Sequence, residues 1–272
     1  MSIIIHTQEE IDQMRVACQF AAQLLDYIGP FVQPGVTTNE INRLCEEYTQ
    51  KHGATSGPLN YAPPGHEPYP KSICTSVNQQ VCHGIPNDKP LKKGDIVNID
   101  VTPITNGWFG DSSRMYFVGG EEAATPPARR LCRITYESMW KGILQVRPGA
   151  RLGDIGHAIQ KYVEGHGYSV VREFCGHGIG RTFHTEPQVL HYGKPGTLEE
   201  LKPGMIFTIE PMVNAGRKEI KQSNDGWSIV TKDRSLSAQY EHTVVVTETG
   251  YEVLTLSEGM PGLPDFVSAT KT

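Results

Sequence analysis

Apolar residues at Ile11, Met14, Cys18, Ala21, Leu25 and Ile28 recur every three or four positions, the stripe of an amphipathic helix. Thr7 with Glu10 has the form of a capping box and sets its start, and Gly29-Pro30 sets its stop. A second such pair, Thr37 with Glu40, opens another helix that ends near Gly53. Strands are predicted to dominate from Ser72 to Phe117, helices from about Pro127 to Gly167, and strands again from Ser169 to the C-terminal tail. The order is helix, strand, helix, strand.

That order repeats in detail. The segment PGVTTNEINRLCEEYTQKHG (34–53) aligns without a gap on PGARLGDIGHAIQKYVEGHG (148–167) at a constant offset of 114, with Ile41/Ile155, Tyr48/Tyr162, His52/His166, Gly53/Gly167 and the Pro-Gly pair identical. Two surface helices of one length with the same glycine stop would look alike. An internal duplication would too, and it would make each half a helical layer followed by an antiparallel sheet. Such halves, about 1–125 and 126–256, would form one catalytic domain (1–256) with a pseudo-twofold and a site at their junction, leaving 257–272 as a tail.

Composition narrows what the chain does. With 272 residues, 38% hydrophobic and 20% charged, it has enough apolar material for one large or two small cores. A net charge of −5 without a Lys/Arg run argues against DNA as a partner. No apolar run approaches the roughly 20 residues that a membrane span needs. The opening MSIIIHTQEE lacks a basic segment followed by a long apolar one, so a cytoplasmic location is expected. The cysteines (18, 45, 74, 82, 132, 175) include no C-x-x-C and fit reduced thiols better than a disulfide framework.

The candidate chemistry lies in carboxylates that interrupt strands. VNIDVTPITNGWFGDSS reads as two strand segments around an Asn-Gly turn, with Asp100 in one and Asp111 in the other, although Asp is a poor strand former. Asp100 would share a face with Asn98 and Thr102, opposite Val97, Ile99 and Val101. His177 stands among glycines in EFCGHGIGRTFH, Glu210 inside the apolar MIFTIEPMV, and Glu241 at the mouth of a strand in QYEHTVVVT. Taken singly, each has an ordinary structural explanation as a core histidine or an edge-strand charge. Together they are hard to explain that way, because an isolated buried carboxylate costs several kcal/mol. Four carboxylates are neutralised by two divalent cations. One imidazole, no thiolate and several oxygens suit Mn, Fe, Co or Zn better than copper.

The ordered segments NIDVTP, GDSSRMY, CGHGIGR, FTIEPM and QYEHTVVVT, carrying Asp100, Asp111, His177, Glu210 and Glu241, resemble the type I, bacterial-like methionine aminopeptidases over nearly the whole chain. The type rests also on what is missing. Only 25 residues separate His184 from Glu210, too few for the helical insertion of type II enzymes. The resemblance implies the duplicated pita-bread α/β fold (α+β; creatinase/aminopeptidase), its antiparallel sheet covered by helices. It also implies removal of the initiator methionine when the second residue is small. Xaa-Pro aminopeptidases and prolidases share the fold but usually add an N-terminal domain, and non-catalytic peptide- or ribosome-binding relatives have lost ligands. By the same resemblance Asp100 chelates one metal, Asp111 and Glu241 bridge both, and His177 and Glu210 complete the other, with Glu210 as proton shuttle.

The resemblance extends to non-ligand residues. His83 in VCHGIP would face the scissile amide nitrogen and His184 in RTFH would donate to the carbonyl oxygen. The methionine pocket would be walled by Tyr69, Cys74, Phe183 and Trp227, with His83 at its rim and His184 beside it, although each aromatic is equally plain as core. The chain departs from the family just there, since NYAPPGHEPYP inserts about five residues between Tyr61 and Tyr69, and whether Tyr61 still reaches the pocket is left open. Asn78 and Ser237 resemble a monovalent-cation site in some members, or a turn hydrogen bond. Partners implied are nascent polypeptide N-termini and, transiently, the ribosome, with the enzyme a monomer.

Overall fold

The computed structural model describes residues 2–268, so residues 269–272 of the expected tail lie outside the described part. Helix α1 (Gln8–Ile28) starts at Thr7, whose hydroxyl and backbone N–H form the complete capping box with Glu10. Its stripe of Met14, Ala17, Cys18, Ala21, Leu24, Leu25 and Ile28 is fully buried. In α2 (Thr38–Lys51) the predicted box is half formed: the Thr37 hydroxyl accepts the Glu40 N–H, but the Glu40 carboxylate turns outward to Arg43. On an exposed helix face a guanidinium one turn away offers a charge-assisted partner that the Thr37 N–H does not.

The first run of strands is β1 (Thr55–Ser56), β2 (Cys74–Val77), β3 (Gln80–Cys82), β4 (Ile96–Val101), β5 (Pro103–Thr105), β6 (Trp108–Phe109) and β7 (Ser112–Phe117). Helices α3 (Pro126–Ile143) and α4 (Leu152–Gly165) follow. The second run is β8 (Ser169–Val170), β9 (Gly176–Gly178), β10 (Thr185–Val189), β11 (Ile206–Ile209), β12 (Met212–Asn214), β13 (Ile220–Gln222), β14 (Ile229–Thr231), β15 (Ser237–Gln239), β16 (His242–Val246) and β17 (Tyr251–Val253), closed by α5 (Asp265–Ser268). Every strand pair is antiparallel. Two sheets matter for the site, β2-β4-β7 and β10-β9-β11-β16-β17.

The repeat seen in the sequence is a repeat in space. Helices α2 and α4 begin and end at positions related by the same offset. Gly35 and Gly149 precede them at φ of 91° and 82°, and Gly53 and Gly167 follow at 75° and 80°. Each helix closes with the Nδ1 of a histidine 2.7 Å from a tyrosine carbonyl one turn back, His52 on Tyr48 and His166 on Tyr162. Identical residues are kept because they build the same helix stop, with a left-handed glycine ending it. The triplets β2-β4-β7 and β9-β11-β16 likewise have the same order and sense.

The ribbon around Asn106-Gly107 differs from the single hairpin expected. The turn is present, both residues at positive φ (52° and 77°), but β5 and β6 pair in a sheet with β1, whereas β4 and β7 pair in another. The ribbon therefore changes sheet at Thr102 on the way out and at Gly110-Asp111 on the way back. Gly110 makes the second crossing possible: a Cβ there would lie 2.1 Å from the Ala17 carbonyl oxygen of α1.

Past Val253 the chain is laid back on the body. Arg114 is buried and donates to Asp26 and to the Gly259 carbonyl, each at 2.8 Å, and to Ser257. Tyr136 donates to the Pro261 carbonyl, and Val267 is buried against the core around α3 and α4. No helix among the described residues is long and apolar enough to cross a membrane. Gly110→Ala is expected to cost about 1–3 kcal/mol, the usual penalty for forcing a methyl into filled space. Equilibrium urea denaturation reads it, and an unchanged midpoint would contradict the contact with α1.

Candidate metal centre and substrate cavity

Strand ends, more than strand interiors, supply the acidic side chains. Asp100 lies within β4, opposite Cys74 of β2 and Ser113 of β7, and His177 lies within β9. Asp111 and Glu210, expected inside strands, stand just outside them, before β7 and after β11, and Glu241 stands at the mouth of β16 as expected. Where the chain leaves the ladder it is free of strict alternation, so a side chain can turn inward without inverting its neighbours. The two sheets meet at this point. The Glu241 N–H donates to the Ser113 carbonyl at 3.1 Å, Ser112 donates to the Glu241 carbonyl at 2.8 Å, and Thr243 donates to the Asp111 carbonyl at 2.8 Å. Ligand candidates from both repeats are thus tied together through backbone.

All five acidic and imidazole side chains line one cavity of about 480 Å³. One donor atom each from Asp111, His177 and Glu241 lie within 4.8 Å of one another. His177 Nε2 is 3.5 Å from Asp111 Oδ2 and 3.6 Å from Glu210 Oε1. Its Nδ1 is 3.1 Å from the Gly178 carbonyl, which can only accept, so Nδ1 carries the hydrogen and Nε2 presents either a lone pair or a second proton to the carboxylates. Burial lowers the His177 pKa, but the hydrogen bond to Asp111 and the charges of Glu210 and Asp111 outweigh it and the net shift is upward.

Asp100, Glu210 and Glu241 move the same way. Burial, then Asp111 and Glu210, hold Asp100 well above the usual carboxylate range, and burial with the same neighbours and Asp100 does so for Glu241. Glu210 is pushed up to about 7 by burial and Asp111, against His177 and hydrogen bonds from Thr208 and Gln239. Burial first, and then the neighbouring carboxylates, disfavour the ionised forms, with only His177 nearby to offset them. The donor set fits divalent cations on that ground: oxygens and one imidazole, close together, uncompensated and shielded from water.

Supporting residues had little signal in the sequence. Thr102 donates to Asp111 Oδ1 at 2.9 Å, Thr208 to Glu210 Oε1 at 2.7 Å, and Gln239 to Glu210 Oε2 at 3.3 Å. The two threonines could have been found, since each stands two residues from a carboxylate on the same strand face, Thr102 after Asp100 and Thr208 before Glu210. His191 could not. It is fully buried in an ordinary-looking HYGK, and its Nε2 accepts the Glu210 backbone N–H at 3.1 Å.

The cavity continues from the acidic cluster into an apolar compartment. Tyr69, Cys74 and Trp227 form a buried cluster with Tyr61 and Ile85 against it. Tyr69 and Trp227 meet edge to face at 5.1 Å. Phe183 stacks on His184 at 4.0 Å and on Phe109 at 5.4 Å. Tyr61 reaches the cavity despite the inserted residues, its ring 5.1 Å from both Phe183 and His184. His83 and His184 both open on the same space, His83 edge-on to Phe174 at 5.2 Å and His184 at 4.2 Å from His177. Burial and then His66 lower the His83 pKa to about 4, and burial with His177 and His83 lowers that of His184 to about 2, so both imidazoles are neutral near pH 7.

His83 holds a left-handed backbone, φ 54°, rare for a residue with a Cβ and common where a site dictates the conformation. Gly84 after it is obligatory, because a Cβ would lie 2.1 Å from the Thr75 carbonyl. Asn78 and Ser237 are neighbours, the Ser237 N–H donating to the Asn78 carbonyl at 2.9 Å. Their side chains face other protein groups: the Asn78 carboxamide bonds Asp95 and the Ile96 N–H, and the Ser237 hydroxyl bonds Asn214 and the Val213 carbonyl. That is the bonding of a structural junction.

Residues 12–248 match the model of metallopeptidase family M24. The methionine aminopeptidase of Rickettsia prowazekii (strain Madrid E) is 57% identical over 258 residues, 94% of this chain and 96% of that protein. The methionine aminopeptidase of Escherichia coli (strain K12) is also 57% identical over 258 residues, covering 94% and 95%. The crystal structure of the Rickettsia prowazekii methionine aminopeptidase superposes with a TM-score of 0.90 at 55% identity, over 94% of this chain and 100% of that one. On the strength of the family match, the two relatives and the superposed structure, the chain belongs to metallopeptidase family M24 and, within it, to the methionine aminopeptidases, metal-dependent hydrolases that remove N-terminal methionine.

Proposed function

We propose that Asp100, Asp111, His177, Glu210 and Glu241 hold two divalent ions, drawn from iron, manganese, cobalt and zinc, and that the enzyme removes the initiator methionine of nascent chains whose second residue is small. The observation that carries this reading is the single cavity in which these side chains adjoin the Tyr69–Cys74–Trp227 cluster. Bound there, a metal pair would activate a water molecule and polarise the substrate carbonyl. Every other role falls to side chains of the chain itself.

Glu210 takes up the proton that water gives up. Its carboxyl group is held in place by hydrogen bonds from Thr208 and Gln239, which leave it beside the reacting water, positioned to accept and return a proton. His83 and His184, both neutral, offer N–H groups, His83 toward the leaving amide nitrogen and His184 toward the carbonyl oxygen. The methionine side chain, whose thioether accepts hydrogen bonds only weakly, enters the compartment of Tyr69, Cys74, Phe183 and Trp227, losing water on both sides. The next residue sits between His83 and His184, with space for a small side chain only. Asn78 and Ser237, joined through their backbones, would hold a monovalent cation at that junction, outside the cavity where the bond is cleaved. We place the reaction in the cytoplasm, on chains leaving the ribosome, with the enzyme a monomer that uses neither DNA nor a membrane.

Exhaustive dialysis against EDTA should abolish methionine release from Met-Gly-Met-Met, and added Mn, Fe, Co or Zn should restore it. Full activity with metal shown absent by mass spectrometry would end the metallohydrolase reading. Glu210→Gln and His83→Ala should each lower kcat about 10²- to 10⁴-fold, as loss of proton transfer or of a transition-state contact does. Wild-type turnover would mean the role is misassigned. Across a panel of Met-Xaa tetrapeptides, Gly, Ala, Ser, Thr, Pro, Cys and Val at the second position should be processed, with Leu, Lys, Arg and Phe slower by about tenfold or more. Equal rates for Met-Gly and Met-Arg would remove the crowding argument.

A further inference from the structure

The residues inserted between Tyr61 and Tyr69 do not hang free. The neck of the segment is closed by the Asn60 N–H on the Tyr69 carbonyl at 2.8 Å and the Tyr69 N–H on the Tyr61 carbonyl at 2.9 Å. Within it the His66 N–H donates to the Pro63 carbonyl at 3.0 Å, with Gly65 at φ +85° making the turn. Its far side lands on Trp227. The indole N–H donates to the Glu67 carbonyl at 3.1 Å, and the His66 ring lies 5.4 Å from the indole. Pro63 and His66 line the same cavity as Tyr69, Cys74 and Trp227.

We propose that Ala62–Pro68 is the outer wall of the methionine pocket and that Pro63 and His66 are specificity-determining residues closing it over the substrate's first side chain. The inference rests on reading the Tyr69–Cys74–Trp227 cluster as that pocket. Without the segment, the Trp227 N–H would lack its carbonyl partner and one side of the compartment would open to water. With it, the indole donor is satisfied, and a pyrrolidine and an imidazole cover the mouth. A thioether chain sealed there is held equally in the ground state and the transition state, because it takes no part in bond breaking. The wall therefore acts on KM and leaves kcat alone.

Two changes to the metal-loaded enzyme test this. In one, Ala62–Pro68 is replaced by Gly-Gly, a two-residue connection that the paired Tyr61 and Tyr69 can accept. In the other, His66→Ala is set beside His66→Phe, which keeps a ring on Trp227. Thermal unfolding identifies the folded variants, and if the shortened chain does not fold, the His66 pair decides. The short loop is expected to raise KM for Met-Gly-Met-Met about tenfold, the scale of a lost apolar contact in a pocket, with kcat held within about twofold. Calorimetric binding of L-methionine should weaken by the same factor. His66→Ala should move in the same direction by less, and His66→Phe should return to wild type. Folded variants with wild-type KM and L-methionine affinity, or a fall in kcat at constant KM, would overturn the wall. Failure of the unaltered enzyme to release methionine would instead overturn the pocket itself, so the two failures are distinguishable.

Discussion

Like charges crowded into a dry space set the terms for everything around them. Asp100, Asp111, Glu210 and Glu241 line one cavity, Asp111 and Glu241 buried and Asp100 and Glu210 partly so. In such surroundings each ionised carboxylate raises the cost of ionising the next. Hydrogen bonds from Thr102, Thr208 and Gln239 orient the oxygens without cancelling the repulsion, and His177 can neutralise only one charge. The upward shifts at Asp100, Glu210 and Glu241 follow from burial first and from that repulsion second. A polypeptide keeps such a cluster only where its backbone is tied down independently, and here the tie is the set of hydrogen bonds joining Ser112, Ser113 and Asp111 to Glu241 and Thr243.

Placing the cluster at a seam between two similar halves solves a packing problem as well. Inside either sheet a carboxylate would displace an apolar contact. At the seam it takes up space that neither core uses: the core around α3 and α4 and the core between α1, α2 and β4 both lie behind the strands. The aromatic compartment adjoins the charged one along a shared wall, Cys74 lying opposite Asp100 and Phe183 beside His177 and His184, while Tyr69, Cys74 and Trp227 keep an apolar cluster of their own. A polar reacting centre beside an apolar binding site is the usual division of a small-molecule pocket.

What the sequence revealed was what is local. The caps of α1, the Asn106-Gly107 turn and the paired stops of α2 and α4 depend on residues within a few positions, and each was legible. The five donors were legible for a different reason: charged residues in apolar strands are conspicuous anywhere. What stayed hidden depends on partners far along the chain. The ribbon breaks at Gly110 because the α1 backbone passes over it, Glu40 abandons Thr37 because Arg43 is within reach, and the Tyr61–Tyr69 segment folds onto Trp227, 160 positions from Glu67. His191 carries no pattern at all until the Glu210 N–H is seen to need an acceptor.

The division of the donors between the repeats also sets when the protein becomes an enzyme. Asp100 and Asp111 precede α3, whereas His177, Glu210 and Glu241 follow α4, and the last of them opens β16, onto which β17 adds the edge of the sheet. A growing chain shows only two hydrated aspartates until its second half has been synthesised. Nothing partial is gained along the way, because neither set alone builds the cavity. Neither half alone therefore carries the full set of candidate ligands, and the cavity they line exists only once both have folded together.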